Sequence, residues 1–253
     1  MKRKEAKNAE DSMIDDFIEV GTVQEIWRYP VKSMAGERLD AARVSWYGLD
    51  GDRRAAFVRD DNHSGFPWLT ARQAPELVRY QPFYANPTQP DEAALQVKTP
   101  DGRILPLDSA ELREELAELY GRSVSPMRIK RGIFDTLTLS LMSRATAQAL
   151  DAVTDFPLDY RCFRQNIIIE TFDGRPFAEE DWLGQVLIIG EARIRLNRPI
   201  SRCQMINVDP DTAVRNTAVL QMVAQTRNNH VGIGCTPETP GLIRVGDTIK
   251  LAN

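Results

Sequence analysis

Arg198-Pro199-Ile200-Ser201-Arg202-Cys203-Gln204-Met205-Ile206-Asn207-Val208-Asp209-Pro210-Asp211-Thr212 follows the apolar, strand-like run Arg193 to Leu196 and sets one thiol among basic, hydroxyl and acidic side chains. A cysteine so placed is a candidate metal ligand. Thiolate is the ligating form, and the neighbouring cations Arg198 and Arg202 favour it. Packing is the alternative role, because free cysteine is among the most buried residue types. Asp209-Pro210-Asp211 is good turn chemistry, so the stretch reads as strand, functional loop and turn.

Upstream of it, short β-like runs dominate: Val23 to Trp27, Ala41 to Trp46, Ala55 to Val58, Val78 to Pro82 and Leu95 to Thr99, punctuated by Gly48, Gly51, Pro82, Pro87, Pro90 and Asp101-Gly102. Such spacing suggests a barrel or sandwich. Between residues 110 and 121 Leu112, Leu116 and Leu119 recur at helical spacing, with Asp108 or Ser109 to cap the start and Gly121 to end it. A second helix is expected from Ser143 to Val153, capped by Ser143 with Ala147 and Leu150 inward. Its N-terminus suits an anion. Strand-like runs follow at Asn166 to Glu170, Val186 to Ile189, Arg193 to Leu196 and Met205 to Val208, and an amphipathic helix is allowed between Thr212 and Val223. Pro240 to Leu251 reads as turn, strand, tight Gly246-Asp247 turn and last strand.

The chain of 253 residues is 42% hydrophobic and 27% charged, near the globular average. Its net charge of -4 argues against a broad nucleic-acid footprint. No apolar run reaches the roughly 20 residues that span a bilayer. Met1 to Asp16 is charged and lacks the apolar core of a secretory signal, so a polar tail on a cytoplasmic protein is expected, with no membrane and no nucleic acid among its partners. Cys162, Cys203 and Cys235 form no Cys-x-x-Cys pair and are too few for a disulfide scaffold. Cys162 and Cys235 read as packing cysteines. His63 and His230 lie in no recognisable nucleophile motif.

Val23-Gln24-Glu25-Ile26-Trp27-Arg28-Tyr29-Pro30-Val31-Lys32-Ser33, Gly48-Leu49-Asp50-Gly51-Asp52-Arg53 and Thr70-Ala71-Arg72-Gln73 resemble the N-terminal β-barrel domain found ahead of MOSC domains. Phe163-Arg164-Gln165-Asn166-Ile167-Ile168-Ile169, Trp182 to Ile189, and Ser201-Arg202-Cys203 to Asp211 resemble the MOSC domain itself. The similarity runs roughly from residue 20 to 251. It implies a mainly β fold with some α, two β-barrel-like units with a few helices and a cofactor cleft between them. The expected division is a polar tail at 1–18, an N-terminal barrel domain at 19–128 and a MOSC domain at 129–253.

The resemblance also implies a molybdenum pyranopterin cofactor (Mo-molybdopterin) and a reductase of hydroxylamines, amidoximes and N-hydroxylated bases. Pyridoxal phosphate binding is a further family-level association. Cys203 is then the metal ligand and catalytic centre, a soft thiolate at a sulfur-rich metal site, with Ser201 and Arg202 orienting it. Lys32, Ser33, Arg53 and the helix N-terminus at Ser143 are expected to hold the phosphate, Arg164 and Asn166 to contact the pterin, and Arg72 to join the cofactor set. Arg72 could instead pair with Glu76 at the surface, and Lys32 and Arg53 could be solvated charges. Two departures stand out: Ile200 replaces a second cysteine common in relatives, and Gln165 replaces a proline. Iron–sulfur spacing is absent, so electrons are expected from a separate ferredoxin or flavoprotein. The other classes are a cofactor carrier, or a sulfur-transfer module with a Cys203 persulfide, the latter disfavoured by the missing aminotransferase-like domain.

Overall fold

The computed structural model describes residues 17–252. In the first half the chain forms β1 (Phe17–Arg28), β2 (Glu37–Leu39), β3 (Ala41–Ser45), β4 (Gly48–Leu49), β5 (Ala55–Arg59), β6 (Gln81–Tyr84), β7 (Leu95–Lys98), β8 (Ile104–Pro106), α1 (Ala110–Tyr120) and β9 (Val124–Arg128). The second half forms β10 (Leu139–Ser143), α2 (Arg144–Asp151), β11 (Ile167–Thr171), β12 (Val186–Ile189), β13 (Ala192–Ser201), α3 (Ala218–Arg227), β14 (His230–Thr239), β15 (Gly241–Arg244) and β16 (Thr248–Ala252). Residues 1–16 of the expected tail lie outside the described residues, and its last two, Phe17 and Ile18, already belong to β1.

Seven strands close into a barrel in the order β11-β10-β14-β13-β12-β16-β1, with β1 pairing back onto β11 and β2 appended to its edge. Only the β10–β11 pair among these is parallel. β1 pairs on both of its edges, and its register shifts between Glu19 and Gly21 toward β16 and between Val23 and Glu25 toward β11. Such bulges bend a strand and increase its twist, which a closed barrel requires. The barrel interior is aliphatic: Val23, Ile26, Leu141, Ile167, Leu187, Ile194, Ile233 and Ile249 are all fully buried. Burying such side chains contributes about 1.5–3 kcal/mol each.

The rest of the first half forms three small sheets, β15-β3-β4, β5-β9 and β6-β7-β8. Val31, Met34, Phe57, Leu77, Val97, Leu112, Leu116 and others form the core shared by β5-β9 and β6-β7-β8, whereas Ala42, Val44, Leu49 and Ile243 of β15-β3-β4 pack into the barrel core. Strand pairing crosses the expected 128/129 division at three places, since β1 pairs with β11 and with β16 to complete the barrel and β15 pairs with β3.

Helix α1 starts where expected, with Ser109 Oγ accepting from Leu112 N at 3.2 Å and Gly121 in the left-handed region at φ 81°. Leu119, however, faces solvent, because only Leu112 and Leu116 meet the core. Four local expectations change. Val78 belongs to a 3-10 turn at Pro75–Arg79, so the strand begins only at Gln81. Met205–Val208 is likewise not a strand: a 3-10 turn occupies Gln204–Asn207. The helix allowed between Thr212 and Val223 forms later, at Ala218–Arg227. β15 and β16 do not pair with each other across Gly246-Asp247, because β15 leaves for β3 while β16 stays in the barrel. Tertiary pairing overrides the local hairpin signal at that point.

Gly48 marks a close contact between the small sheets and the barrel. Its φ is +94°, and a Cβ there would lie 1.8 Å from the Thr138 carbonyl oxygen, a backbone atom. Replacement of Gly48 by Ala combines strain in the backbone with a steric clash and is expected to destabilise the fold by about 2 kcal/mol or more, measured as a lowered midpoint in urea unfolding.

Candidate functional site

Beyond β1 the chain turns sharply through Tyr29-Pro30-Val31-Lys32-Ser33, held by the Lys32 N–H donating to the Ala55 carbonyl at 2.8 Å. The turn forms one wall of a cleft of about 520 Å³, closed by Phe66–Arg72, Ile133–Leu137, Cys162–Arg164 and Ile200–Ile206. Lys32, Ser33, Arg53, Arg72, Arg164, Ser201, Arg202 and Cys203 all line it, so eight of the ten predicted site residues meet in one place.

The other two do not reach the lining. Ser143 is buried and caps α2 by accepting from Thr146 N at 3.0 Å. Its own N–H donates to Oε1 of buried Glu179 at 3.0 Å, so the helix N-terminus already faces a carboxylate supplied by the chain. Asn166 is fully buried and bonded at both ends of its amide: Oδ1 accepts from Arg53 Nη1 at 3.2 Å and Ser140 Oγ at 3.0 Å, and Nδ2 donates to the Trp27 carbonyl at 3.1 Å. It supports Arg53 from behind.

Charge is unevenly distributed over the cleft. Five basic side chains (Lys32, Arg53, Arg72, Arg164 and Arg202) face one carboxylate, Asp135. Arg53 is anchored by buried Asp52 at 2.5 Å and by the Arg164 carbonyl at 3.0 Å. Although burial works against its charge, Asp52 and Asp135 outweigh that effect and raise its pKa. Lys32 donates to the Phe134 carbonyl at 2.6 Å, and burial lowers the pKa of its ammonium against the pull of Asp135. Among the described residues Arg164 has no ion pair and no side-chain hydrogen bond: its guanidinium lies 4.2 Å from the Tyr29 ring centroid, and burial pushes its pKa down to about 10. Arg202 is spent on carbonyls, donating Nε to Val231 at 2.9 Å and Nη1 to Phe163 at 2.9 Å, and burial lowers its pKa to about 10 as well. Enclosed cations without carboxylates are costly unless an anion compensates them.

The backbone is strained at the same place. Among the described residues seven non-glycine positions have φ in the left-handed region, and Ser33 (65°), Arg53 (48°) and Arg164 (53°) all line the cleft. Such conformations cost of order 1–3 kcal/mol each and persist where surrounding contacts over-determine them. A second cavity, of about 360 Å³, lies on the far side of Arg164, Cys162 and Met205 and is floored by Trp27 and Tyr29.

Cys203 is exposed, whereas Cys162 and Cys235 are buried and burial pushes both of their thiols up. It sits between the end of β13 and the 3-10 turn, and Asn229 fixes the preceding residue: Arg202 N–H donates to the Asn229 carbonyl at 2.9 Å, and Asn229 Nδ2 donates to the Arg202 carbonyl at 2.9 Å. The Ser201 hydroxyl pairs with His230 Nε2 at 3.0 Å. Arg72 does not pair with Glu76. Its guanidinium lies 5.2 Å from the Phe66 ring centroid, and Lys32 Nζ is 5.6 Å from the same ring. The Asp209-Pro210-Asp211 turn is closed by Asp209 Oδ1, which accepts from the N–H groups of Asp211 and Thr212, and Arg215 beyond it donates to the carbonyls of Ala71 and Arg72. The two distant sequence motifs are thereby bonded to each other. Asp135, Asn229 and the aromatic wall of Phe66, Trp68 and Phe134 escaped the sequence reading, and no local pattern marks them.

Among the described residues no group of three or more His, Cys, Asp or Glu stands together as a metal site, and no helix is long and apolar enough to cross a membrane. In comparisons with known proteins, the chain is 27% identical to human mitochondrial amidoxime-reducing component 1, across 92% of this chain and 83% of that protein. It is also 27% identical to Bos taurus molybdenum cofactor sulfurase, across 84% of this chain but 29% of that protein. A solved structure, the YUAD protein from Bacillus subtilis, aligns over 93% of this chain and 97% of its own at 14% identity with a TM-score of 0.48. The model of the MOSC N-terminal beta barrel domain matches residues 20–130 and that of the MOSC domain matches residues 133–250, so the chain belongs to the MOSC family, with the N-terminal barrel domain ahead of the MOSC domain.

Proposed function

We propose that the cleft binds a molybdenum pyranopterin cofactor and that the protein reduces N-oxygenated compounds such as hydroxylamines and amidoximes. The observation that carries this reading is the pair of enclosed guanidinium groups, Arg164 and Arg202, that have no carboxylate partner among the described residues and share the cleft with the exposed thiol of Cys203. Such a lining fits a ligand that is anionic at one end and soft at the other. Lys32, Arg53 and Arg164 would hold the phosphate and the pterin edge by charge-assisted hydrogen bonds, and Cys203 would ligate the metal. When bound, the group would supply two-electron redox chemistry at the metal. The relatives described as amidoxime-reducing components and as a molybdenum cofactor sulfurase support the association.

The overall conversion is R–NHOH plus two electrons and two protons to R–NH2 plus water. The electrons would come from a separate electron-transfer protein of ferredoxin or flavoprotein type. The chain's part is to hold the ligand, keep the thiol facing it and present the substrate between the aromatic wall and Cys203. The deciding measurement is molybdenum content together with turnover of a panel of hydroxylamines and amidoximes under reduced viologen. Turnover supports the reductase. No turnover across the panel, combined with transfer of the cofactor to an apo-enzyme, replaces it with a carrier.

Two variants test the assignments within the cleft. Cys203→Ala is expected to abolish turnover and metal retention, whereas Cys162→Ala keeps both, losing stability only through its buried packing; the reverse pattern moves the ligand to Cys162. Arg164→Gln is expected to lower cofactor occupancy by one to two orders of magnitude, the scale of about 1.5–3 kcal/mol for a hydrogen bond to a charged group, while turnover per bound molybdenum is retained. Metal analysis alongside specific activity separates the two effects.

A further inference from the structure

Asp135 is the single carboxylate facing five cations in the cleft, and it is held loosely by them, while its Oδ1 accepts from the Thr136 N–H at 2.8 Å. Its Oδ2 lies 3.2 Å from Arg53 Nε and 3.8 Å from Lys32 Nζ, against 2.5 Å between Arg53 and Asp52. The cations are enclosed, with side chains 9% and 13% exposed, whereas the Asp135 side chain is 38% exposed. Both cations have other anchors: Lys32 donates to the Phe134 carbonyl, and Arg53 donates to Asp52, Asn166 and the Arg164 carbonyl. They would therefore stay in place if the carboxylate left. Of the five N–H groups of Arg53, the Nε edge is the one turned toward Asp135.

Asp135 rides on the connection between β9 and β10, next to Phe134, whose ring meets Trp68 edge-on with centroids 4.7 Å apart. Arg164 and Arg202 also act on the carboxylate electrostatically, and burial alone would raise its pKa, yet Arg53 and Lys32 hold it below the usual carboxylate range. One edge of a phosphate or sulfate presents the same oxygen pair to a guanidinium as a carboxylate does. A dianion offers more charge to the same cations, and a carboxylate left beside it would suffer like-charge repulsion.

We propose that Asp135 is an exchangeable internal anion: an oxyanion of the ligand takes over Arg53 and Lys32, and the displaced carboxylate shifts the neighbouring Phe134 ring off Trp68, while the Phe134 backbone stays bonded to Lys32 and to the Arg53 carbonyl. The proposal rests on the anion-binding part of the function proposed above and not on the metal or on turnover.

The test is titration of the purified full chain with inorganic sulfate at constant ionic strength, read by calorimetry and by Trp68 emission, with Trp68→Phe assigning the signal. Wild-type emission is expected to change as sulfate saturates. Asp135→Asn is expected to show the sulfate-bound emission without sulfate and to bind sulfate roughly tenfold more tightly, the scale of one charge-assisted contact. Asp135→Ala should behave the same way, so that a folding defect in one variant, checked by its melting curve, is separable from the effect sought. The proposal is overturned if wild-type protein binds no sulfate, if Trp68 emission stays constant at saturation, or if neither variant binds more tightly than wild type. Because the readout uses neither molybdenum nor turnover, a protein inactive as a reductase can still show the exchange, and an active one can fail to.

Discussion

The double pairing of β1 is the constraint on which both the fold and the cleft depend. Val23 sits opposite Ile169 on β11, and Gly21 meets both Thr171 on β11 and Ile249 on β16. Without this strand the other barrel strands would present two open edges. The same strand ends at Arg28 and runs directly into the turn carrying Lys32 and Ser33. Its last residues are locked to the start of β11 by Trp27 N–H donating to the Asn166 carbonyl at 2.7 Å and Asn166 Nδ2 donating back to the Trp27 carbonyl. Barrel closure and cleft geometry are therefore consequences of one set of hydrogen bonds.

That coupling explains how so much positive charge survives in a partly enclosed space. A guanidinium removed from water needs either a carboxylate or several well-placed acceptors. Arg53 has its carboxylate in Asp52, and that carboxylate is itself fixed by the Tyr29 N–H at 2.7 Å. Arg202 uses backbone carbonyls, and Arg164 uses the face of Tyr29, whose hydroxyl pKa burial pushes up to about 12. Tyr29 thus underlies both Arg53 and Arg164, at 5.2 and 4.2 Å from its ring centroid, and its neutral ring leaves their charge unspent.

The sequence was most legible where chemistry and periodicity are local. The Ser109 cap, the Gly121 stop and the Leu112-Leu116 spacing specify α1 without help from elsewhere, and the basic residues of the two motifs are recognisable by type. It was least legible where the partner lies far along the chain. Nothing near Ser143 announces that Glu179, 36 residues later, fills its helix N-terminus, and nothing near Asn166 announces that its amide bonds to Arg53 and Trp27. β14 carries Gly232 and Gly234 and alternates weakly, so it reads poorly as a strand, although it lies between β10 and β13 in the barrel. Asp135 was missed for the same reason: its meaning lies in Lys32 and Arg53, about a hundred residues before it.

The strained positions and the loosely held acid fit together physically. Ser33, Arg53 and Arg164 hold left-handed backbone conformations, and the Arg53 N–H is secured by the Tyr29 carbonyl at 2.7 Å. Such positions are stiff, because moving them breaks buried hydrogen bonds that water could not replace. The cations are thus placed in advance, and a binding anion need not organise them. Asp135 is the opposite case: its longer ion-pair distances and greater exposure leave it weakly committed. A site that discharges its cations while empty and offers them when filled, as proposed for this cleft, needs this asymmetry. A tight internal partner would compete too well with the ligand, and a lining with no internal partner would leave the cations uncompensated whenever the cleft is empty.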